Sequence, residues 1–239
     1  KQDYMKAFEW YSKAAEQGYD DAQVNLGDLF YYGNGVKQDY MKAFEWYSKA
    51  AEQGNKDAQY CLGVLYDDGS GVRQDYMKAY EWYLKAAESG DWKPQYCIGR
   101  LFLNGQGVKM DLNKAEMWFK KSIESNKDNP YSYSRIGLIY ALRDKDFKKA
   151  LENSDIALSC KEINYGEKKQ TAKIYGSRGQ IFYLMGDMVN AEKMLAKCLE
   201  FDSDYLKNDD DFAKIMAKII SEKEKYQIKV SKRLGIDFK

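Results

Sequence analysis

The 239-residue chain contains no histidine. This removes Ser-His and Cys-His nucleophile pairs, imidazole metal ligands and the usual proton shuttle, so a serine or cysteine nucleophile would need a lysine or carboxylate base. No motif supplies one. No apolar run approaches the roughly 18 residues that cross a bilayer as a helix. Net charge is nearly absent too: 38 Lys+Arg stand against 37 Asp+Glu, which denies the chain a global basic field for nucleic acid. Residues 1–126 are mildly acidic and the remainder mildly basic, an asymmetry too small to mark a binding stripe.

What the chain has in abundance is repetition. Residues 37–54 (KQDYMKAFEWYSKAAEQG) copy residues 1–18 letter for letter, RQDYMKAYEWYLKAAESG returns at 73–90, and KMDLNKAEMWFKKSIESN fills 109–126. The period is 36 residues. Each period holds two apolar patterns at three- and four-residue spacing: Ala58, Cys61, Leu62, Leu65 and Tyr66 in one, Ala79, Trp82, Tyr83, Ala86 and Ala87 in the other. Both read as amphipathic helices. Such short helices are marginal alone and must bury their stripes on neighbours, so the units stack. The connectors GNGV, GSGV and GQGV have neither a following Lys-Ser/Thr nor a preceding strand, which makes them turns and not phosphate loops.

These residues carry a family resemblance. Ala22, Leu26, Gly27, Phe30, Gly33, Gly35, Val36, Asp39, Lys42, Ala43, Trp46, Tyr47, Lys49, Ala50 and Ala51, repeated from Ala58 to Ala87, resemble the Sel-one-like repeat (SLR), a relative of the tetratricopeptide repeat. The resemblance covers about half the chain; the copy at 91–126 departs from it at Pro94 and at Ser122-Ile123. Residues 127–204 lose the Gly-x-Gly connector. There Tyr175, Gly179, Phe182, Ala191, Leu195 and Cys198 resemble tetratricopeptide spacing, and Tyr133, Gly137, Tyr140, Ala150, Ser154 and Ala157 fit it with one extra residue in the turn. The fold implied is all-α: a right-handed α/α superhelical solenoid of antiparallel helix pairs. Its parts are a half repeat at 1–18, full repeats at 19–54, 55–90 and 91–126, and two tetratricopeptide-like pairs at 127–204 with a polar insertion near 159–170. A capping helix at 205–239 carries Phe212, Ile215, Met216, Ile219 and Tyr226 on one face. The chain opens on the second helix of a repeat without an initiator methionine, so it reads as a fragment of a longer array.

The four cysteines do not form a disulfide framework. Cys61 and Cys97 lie one period apart, and equivalent positions in stacked helix pairs sit about a helix diameter from each other, beyond the ~7 Å Cα separation that a disulfide tolerates. Reduced, buried thiols are expected, which favours a reducing, cytoplasmic compartment.

Trp10, Trp46, Trp82 and Trp118 recur on the second helix and, with the aromatic that follows each, are expected in the core. The tetratricopeptide resemblance implies that the first helices line a concave groove, at the third residue before the repeat glycine and the first, fourth and fifth after it. Those positions are Val24, Asp28, Tyr31 and Tyr32; Tyr60, Val64, Asp67 and Asp68; Tyr96, Arg100, Leu103 and Asn104; and, later, Leu138, beside Ala141 and Leu142, with Gln180 and Tyr183. They vary while the framework repeats. The function expected is a non-catalytic scaffold, without cofactor or metal, that binds a protein or peptide with a basic end through exposed carboxylates and tyrosine rings; the oligomeric state is left open. The alternative is a cell-wall or β-lactam-binding protein or enzyme, as among cysteine-rich relatives, but the Ser-x-x-Lys signature occurs only in broken form at Ser221, with Glu224 in the lysine's place.

Overall fold

A computed structural model of the chain describes residues 2–160 and 168–203, with Lys214, Met216, Ala217 and Ile220 beyond them. Most of the expected insertion and of the expected capping helix, including Phe212, Ile215, Ile219 and Tyr226, lies outside the described residues. No strand occurs among the described residues, and the chain divides into two compact units, 1–126 and 127–239.

The first unit runs α1 (Gln2–Glu16), α2 (Asp20–Tyr32), α3 (Tyr40–Glu52), α4 (Lys56–Asp68), α5 (Tyr76–Ala86), α6 (Trp92–Asn104) and α7 (Leu112–Ser125). Pairs α2–α3, α4–α5 and α6–α7 pack internally, and α1–α2, α3–α4 and α5–α6 join them in series. The boundaries follow from the sequence. Asp39, Asp75 and Asp111 accept hydrogen bonds from backbone N–H groups in the first turns of α3, α5 and α7, each cap stabilising by about 1 kcal/mol. The connectors have a second task. A Cβ on Gly71, at φ +72°, would stand 2.6 Å from the Tyr40 carbonyl carbon, so this loop lies directly on the first turn of α3 in the preceding repeat. Gly35 and Gly107 lie in the same way on the backbone around Tyr4 and Tyr76.

Within a pair, contact is set by one ring. Tyr47, Tyr83 and Phe119 are at most 1% exposed, and each lies on a glycine of the first helix; a Cβ on Gly63 would fall 2.5 Å from the Tyr83 ring. This corrects the expectation for the tryptophans. Trp46, Trp82 and Trp118 are half-buried and Trp10 is 72% exposed. Residues adjacent in a helix point about 100° apart, and the seat opposite the glycine goes to the residue after each tryptophan. The indoles are instead covered by the lysine one turn on, with Lys49 Nζ 3.9 Å from the Trp46 ring centre and Lys85 Nζ 4.1 Å from that of Trp82.

The second unit contains α8 (Pro130–Ile139), α9 (Phe147–Ser159), α10 (Lys168–Met185) and α11 (Met188–Phe201). Here the extra turn residue is absorbed by a π-helical stretch, Tyr140–Asp144, that closes at Lys145 with φ 54°. In the α10–α11 turn the corresponding left-handed position is Gly186. Asp146 N–H therefore reaches back six residues to the Tyr140 carbonyl, whereas Asp187 N–H reaches five, to Phe182. Leu138, Ala141, Ala150 and Ile181 form one core cluster and Ala172, Ala191, Leu195, Cys198 and Met216 another. Leu138 is thus core, a correction to its assignment as a groove residue.

Candidate functional site

The phase of the first helices follows from the seated rings. Because Gly27 draws Tyr47 against α2, the Tyr47 hydroxyl emerges on the α2 face and donates to Asp28 Oδ1 at 2.6 Å. Among the described residues, Tyr47 is the hydrogen-bond donor to Asp28, and Oδ2 accepts none. Around this pair, between α2 and α4, lies a pocket of about 240 Å³ walled by Asp28, Tyr31, Tyr32, Tyr47, Tyr60, Cys61 and Val64. The structure so brings together Asp28, Tyr31, Tyr32, Tyr60 and Val64 from two repeats. Tyr31 packs edge-on against Tyr32 and Tyr40, with ring centres 4.9 and 5.2 Å apart. Tyr60 is steadied by a tilted contact with Tyr83 at 5.9 Å.

The pocket's electrostatics are those of a partly dry acidic site. Burial pushes the Asp28 carboxyl above its usual range, the Tyr47 hydrogen bond opposes this, and Asp57 adds to it. Burial, then Asp68, pushes Tyr31 up to about 12. Burial likewise raises Tyr47 and Tyr60, and burial followed by Asp28 pushes the Cys61 thiol up to about 12. These phenols and this thiol remain protonated at neutral pH, so the pocket holds no activated nucleophile.

One period on, the same positions are Val64, Asp67, Asp68, Tyr83, Tyr96, Cys97 and Arg100. There the expectation of an exposed carboxylate at Asp67 is corrected. Asp67 is 7% exposed, forms an ion pair with Arg100 and accepts the Tyr83 hydroxyl at 2.9 Å. Arg100 also donates to Gln106 Oε1 at 3.2 Å. Burial, the largest single influence, works to lower the Arg100 pKa, but the Asp67 carboxylate together with Cys97, Tyr83 and Tyr96 outweighs it, and the guanidinium stays charged. The remaining expected positions divide by exposure. Val24 is half-buried against the core, Tyr96 makes a tilted contact with Phe119 at 5.6 Å, and Asp68 and Asn104 are exposed. Leu103 is only 7% exposed, so its groove assignment is corrected as well. In the second unit Gln180 is half-buried and Tyr183 exposed.

Sequence reasoning missed Tyr47 and Cys61 in the pocket wall. The signal for Tyr47 was present: a hydroxyl stands at positions 47 and 83, where the paired first helix supplies Asp28 or Asp67, and Phe119 stands where that helix offers no carboxylate at either position. Among the described residues no group of three or more metal-donor side chains converges, and no helix is long and apolar enough to cross a membrane.

Comparison with known proteins agrees with this architecture. The Sel1 repeat family matches residues 1–19, 20–55, 56–91 and 95–127. No functionally curated protein matches the sequence. A Sel1 repeat protein from Oxalobacter formigenes is 32% identical, with a TM-score of 0.61 over 84% of this chain and 80% of that one. The uropathogenic Escherichia coli protein c5321, a protective antigen with an SLR fold, is 26% identical with a TM-score of 0.60; the match covers 81% of this chain but 48% of the antigen. YrrB, a TPR protein with an unusual peptide-binding site, shares the fold at 18% identity and a TM-score of 0.53, over 87% of this chain and 97% of its own. Repeat proteins of this kind are generally scaffolds for protein interaction. With the family matching four successive segments and the helix pairs packed in series as its solved members are, the chain belongs to the Sel1 repeat family.

Proposed function

We propose that the chain is a non-catalytic scaffold that docks a segment of a partner protein on its first-helix face, with a basic side chain of that segment entering the pocket between α2 and α4. The pocket itself carries the reading. Its frame, Gly27 and the Tyr47 ring, recurs in the next repeat, while the residues that give it character change: Asp28 aligns with Val64 and Arg100, and Tyr31 with Asp67 and Leu103. Selectivity written on varying positions of a constant frame is what an interaction scaffold needs. The charge around the pocket favours a basic group, since Asp28, Asp57, Asp68 and Asp91 all act on its titratable side chains, and Lys93 is the cation felt at Cys61. The tyrosines add contact area at modest entropic cost.

An array of short peptides, varied one position at a time and probed with the labelled chain, tests this. The expected result is selection of a basic residue in one register, lost on Asp28→Asn and Tyr60→Ala while helicity is unchanged. Binding without residue preference, or the same selection by the double variant, rejects the site.

A further inference from the structure

We infer that the pocket between α2 and α4 is a receptor for an arginine side chain, because the next copy of the same pocket is already filled by the chain's own Arg100; this deepens the interaction reading above and rests on it.

The two copies share one design. Each takes one carboxylate from its first helix, Asp28 in α2 or Asp67 in α4, three positions apart in the repeat and hence on one helical face. Each presents that carboxylate to the hydroxyl of the seated tyrosine, Tyr47 at 2.6 Å or Tyr83 at 2.9 Å. Each adds a thiol and a tyrosine from the first helix of the following repeat, Cys61 and Tyr60 of α4 or Cys97 and Tyr96 of α6. The copies differ in their first-helix side chains, Tyr31 and Tyr32 against Asp67 and Asp68, and in what the first helix of the following repeat projects between these groups. In the second copy it is Arg100, whose guanidinium meets Asp67 and reaches Gln106. In the first it is Val64, whose short side chain leaves about 240 Å³ open. That space is the volume of about eight liquid-water molecules at ~30 Å³ each, room for a long side chain but not for a folded element.

The walls of the open copy suit a guanidinium better than an ammonium. Tyr31, Tyr32 and Tyr60 offer ring surfaces on which a planar, weakly hydrated cation stacks, whereas a lysine ammonium is compact and strongly hydrated. Asp28 Oδ2, which accepts no hydrogen bond from the described residues, is the remaining acceptor for the guanidinium N–H groups. Arg100 demonstrates that this repeat geometry accommodates the group with its charge intact.

The test uses the full chain and small probes, so it does not depend on finding a peptide. N-acetyl-arginine methylamide, with its citrulline and trimethyllysine counterparts, is titrated against protein carrying labelled tyrosine rings and followed by NMR. The expected result is saturable movement of the Tyr31, Tyr32 and Tyr60 signals, with the arginine compound at least about tenfold tighter than citrulline. Asp28→Asn should remove that preference. The double substitution Tyr31→Asp with Val64→Arg rebuilds the filled copy in the open one and should abolish binding, with circular dichroism reporting the intact fold. Equal binding of citrulline, tighter binding of trimethyllysine, or a preference that survives Asp28→Asn overturns the inference. Should the peptide array select lysine as readily as arginine through Asp28, the scaffold reading stands and the arginine assignment falls; if the array shows no basic selection at all, the reading itself falls.

Discussion

The two units place a glycine at the same point of the first helix and use it differently. In the first unit a Cβ on Gly63 would meet the Tyr83 ring at 2.5 Å; in the second, a Cβ on Gly137 would meet the Ala150 backbone oxygen at 2.7 Å. One glycine seats a side chain and the other admits a backbone. Where a tyrosine ring is the wedge, its hydroxyl carries a polar group to the helix face. Where backbones touch, the interface is made of small residues, with Ala141, Ala150 and Ala157 at 0% exposure and Ser154 at 2%. The ring-wedged unit can therefore vary its surface chemistry without altering its frame, because the wedge is anchored at one end and free to choose a partner at the other.

The largest expected effect comes from removing a wedge. Tyr83→Ala should cost about 3–5 kcal/mol, the range for emptying a buried aromatic site, while half-buried Trp82→Ala costs about 1–2 kcal/mol for its smaller buried area; urea denaturation of both variants decides whether ring or indole holds the pair. Next, Asp67→Asn leaves Arg100 largely buried without its counter-charge and should cost about 3 kcal/mol. Its counterpart Asp28→Asn should change stability by less than about 0.5 kcal/mol, since asparagine still accepts the Tyr47 hydroxyl and no buried cation is orphaned. The pH dependence has the matching sign. The fold raises the Asp28 pKa, so the penalty for its charge is present at neutral pH and is relieved as pH falls through the raised value, opposite to a carboxylate held by an ion pair.

A subtler test separates the two glycines. Gly63→Ala and Gly137→Ala should each cost about 1–3 kcal/mol. In a double-mutant cycle, Tyr83→Leu should absorb most of the first cost, but trimming Ile181, whose Cδ1 lies 3.6 Å from the added carbon, to valine should leave the second in place, because a backbone oxygen cannot be trimmed. Additive behaviour in the first cycle would show that the ring does not wedge the pair. A small stabilising effect is expected at the π turn. Lys145→Gly relieves a left-handed conformation in a side-chain-bearing residue and should raise the melting temperature by a few degrees, a gain of at most about 1 kcal/mol.

The helix pairs and their connectors were legible because each depends on short-range spacing repeated in phase. The extra residue in the α8–α9 turn was legible as a count, though not as a π-helical stretch. Burial order within the Trp-Tyr pair was not: both residues recur at the same period, and what selects the tyrosine is the glycine on another helix, a contact invisible to periodicity. The same limit explains Asp67. At its position the tetratricopeptide phase leaves a side chain open, and only the presence of Arg100, 33 residues on, turns an exposed carboxylate into a buried one. Leu103 and Leu138 are buried for a simpler reason, being apolar enough to join the core from positions that admit either fate.

The loop glycines that rest on the preceding repeat explain how letter-identical copies coexist in one chain. At Gly35, Gly71 and Gly107 the contact between neighbours is main chain against main chain, around Tyr4, Tyr40 and Tyr76. The loop joint itself does not read the side chains that distinguish one copy from another; that reading is left to pairs elsewhere between neighbours, such as Asp67 with Arg100. Recombination between the identical stretches 1–18 and 37–54 would delete or add a whole 36-residue unit and leave a well-formed joint on both sides. Under such exchange the array can change its length in single steps: a deletion removes the Asp28 acid with its helix, and an addition places a second copy of that acid where Val64 now stands.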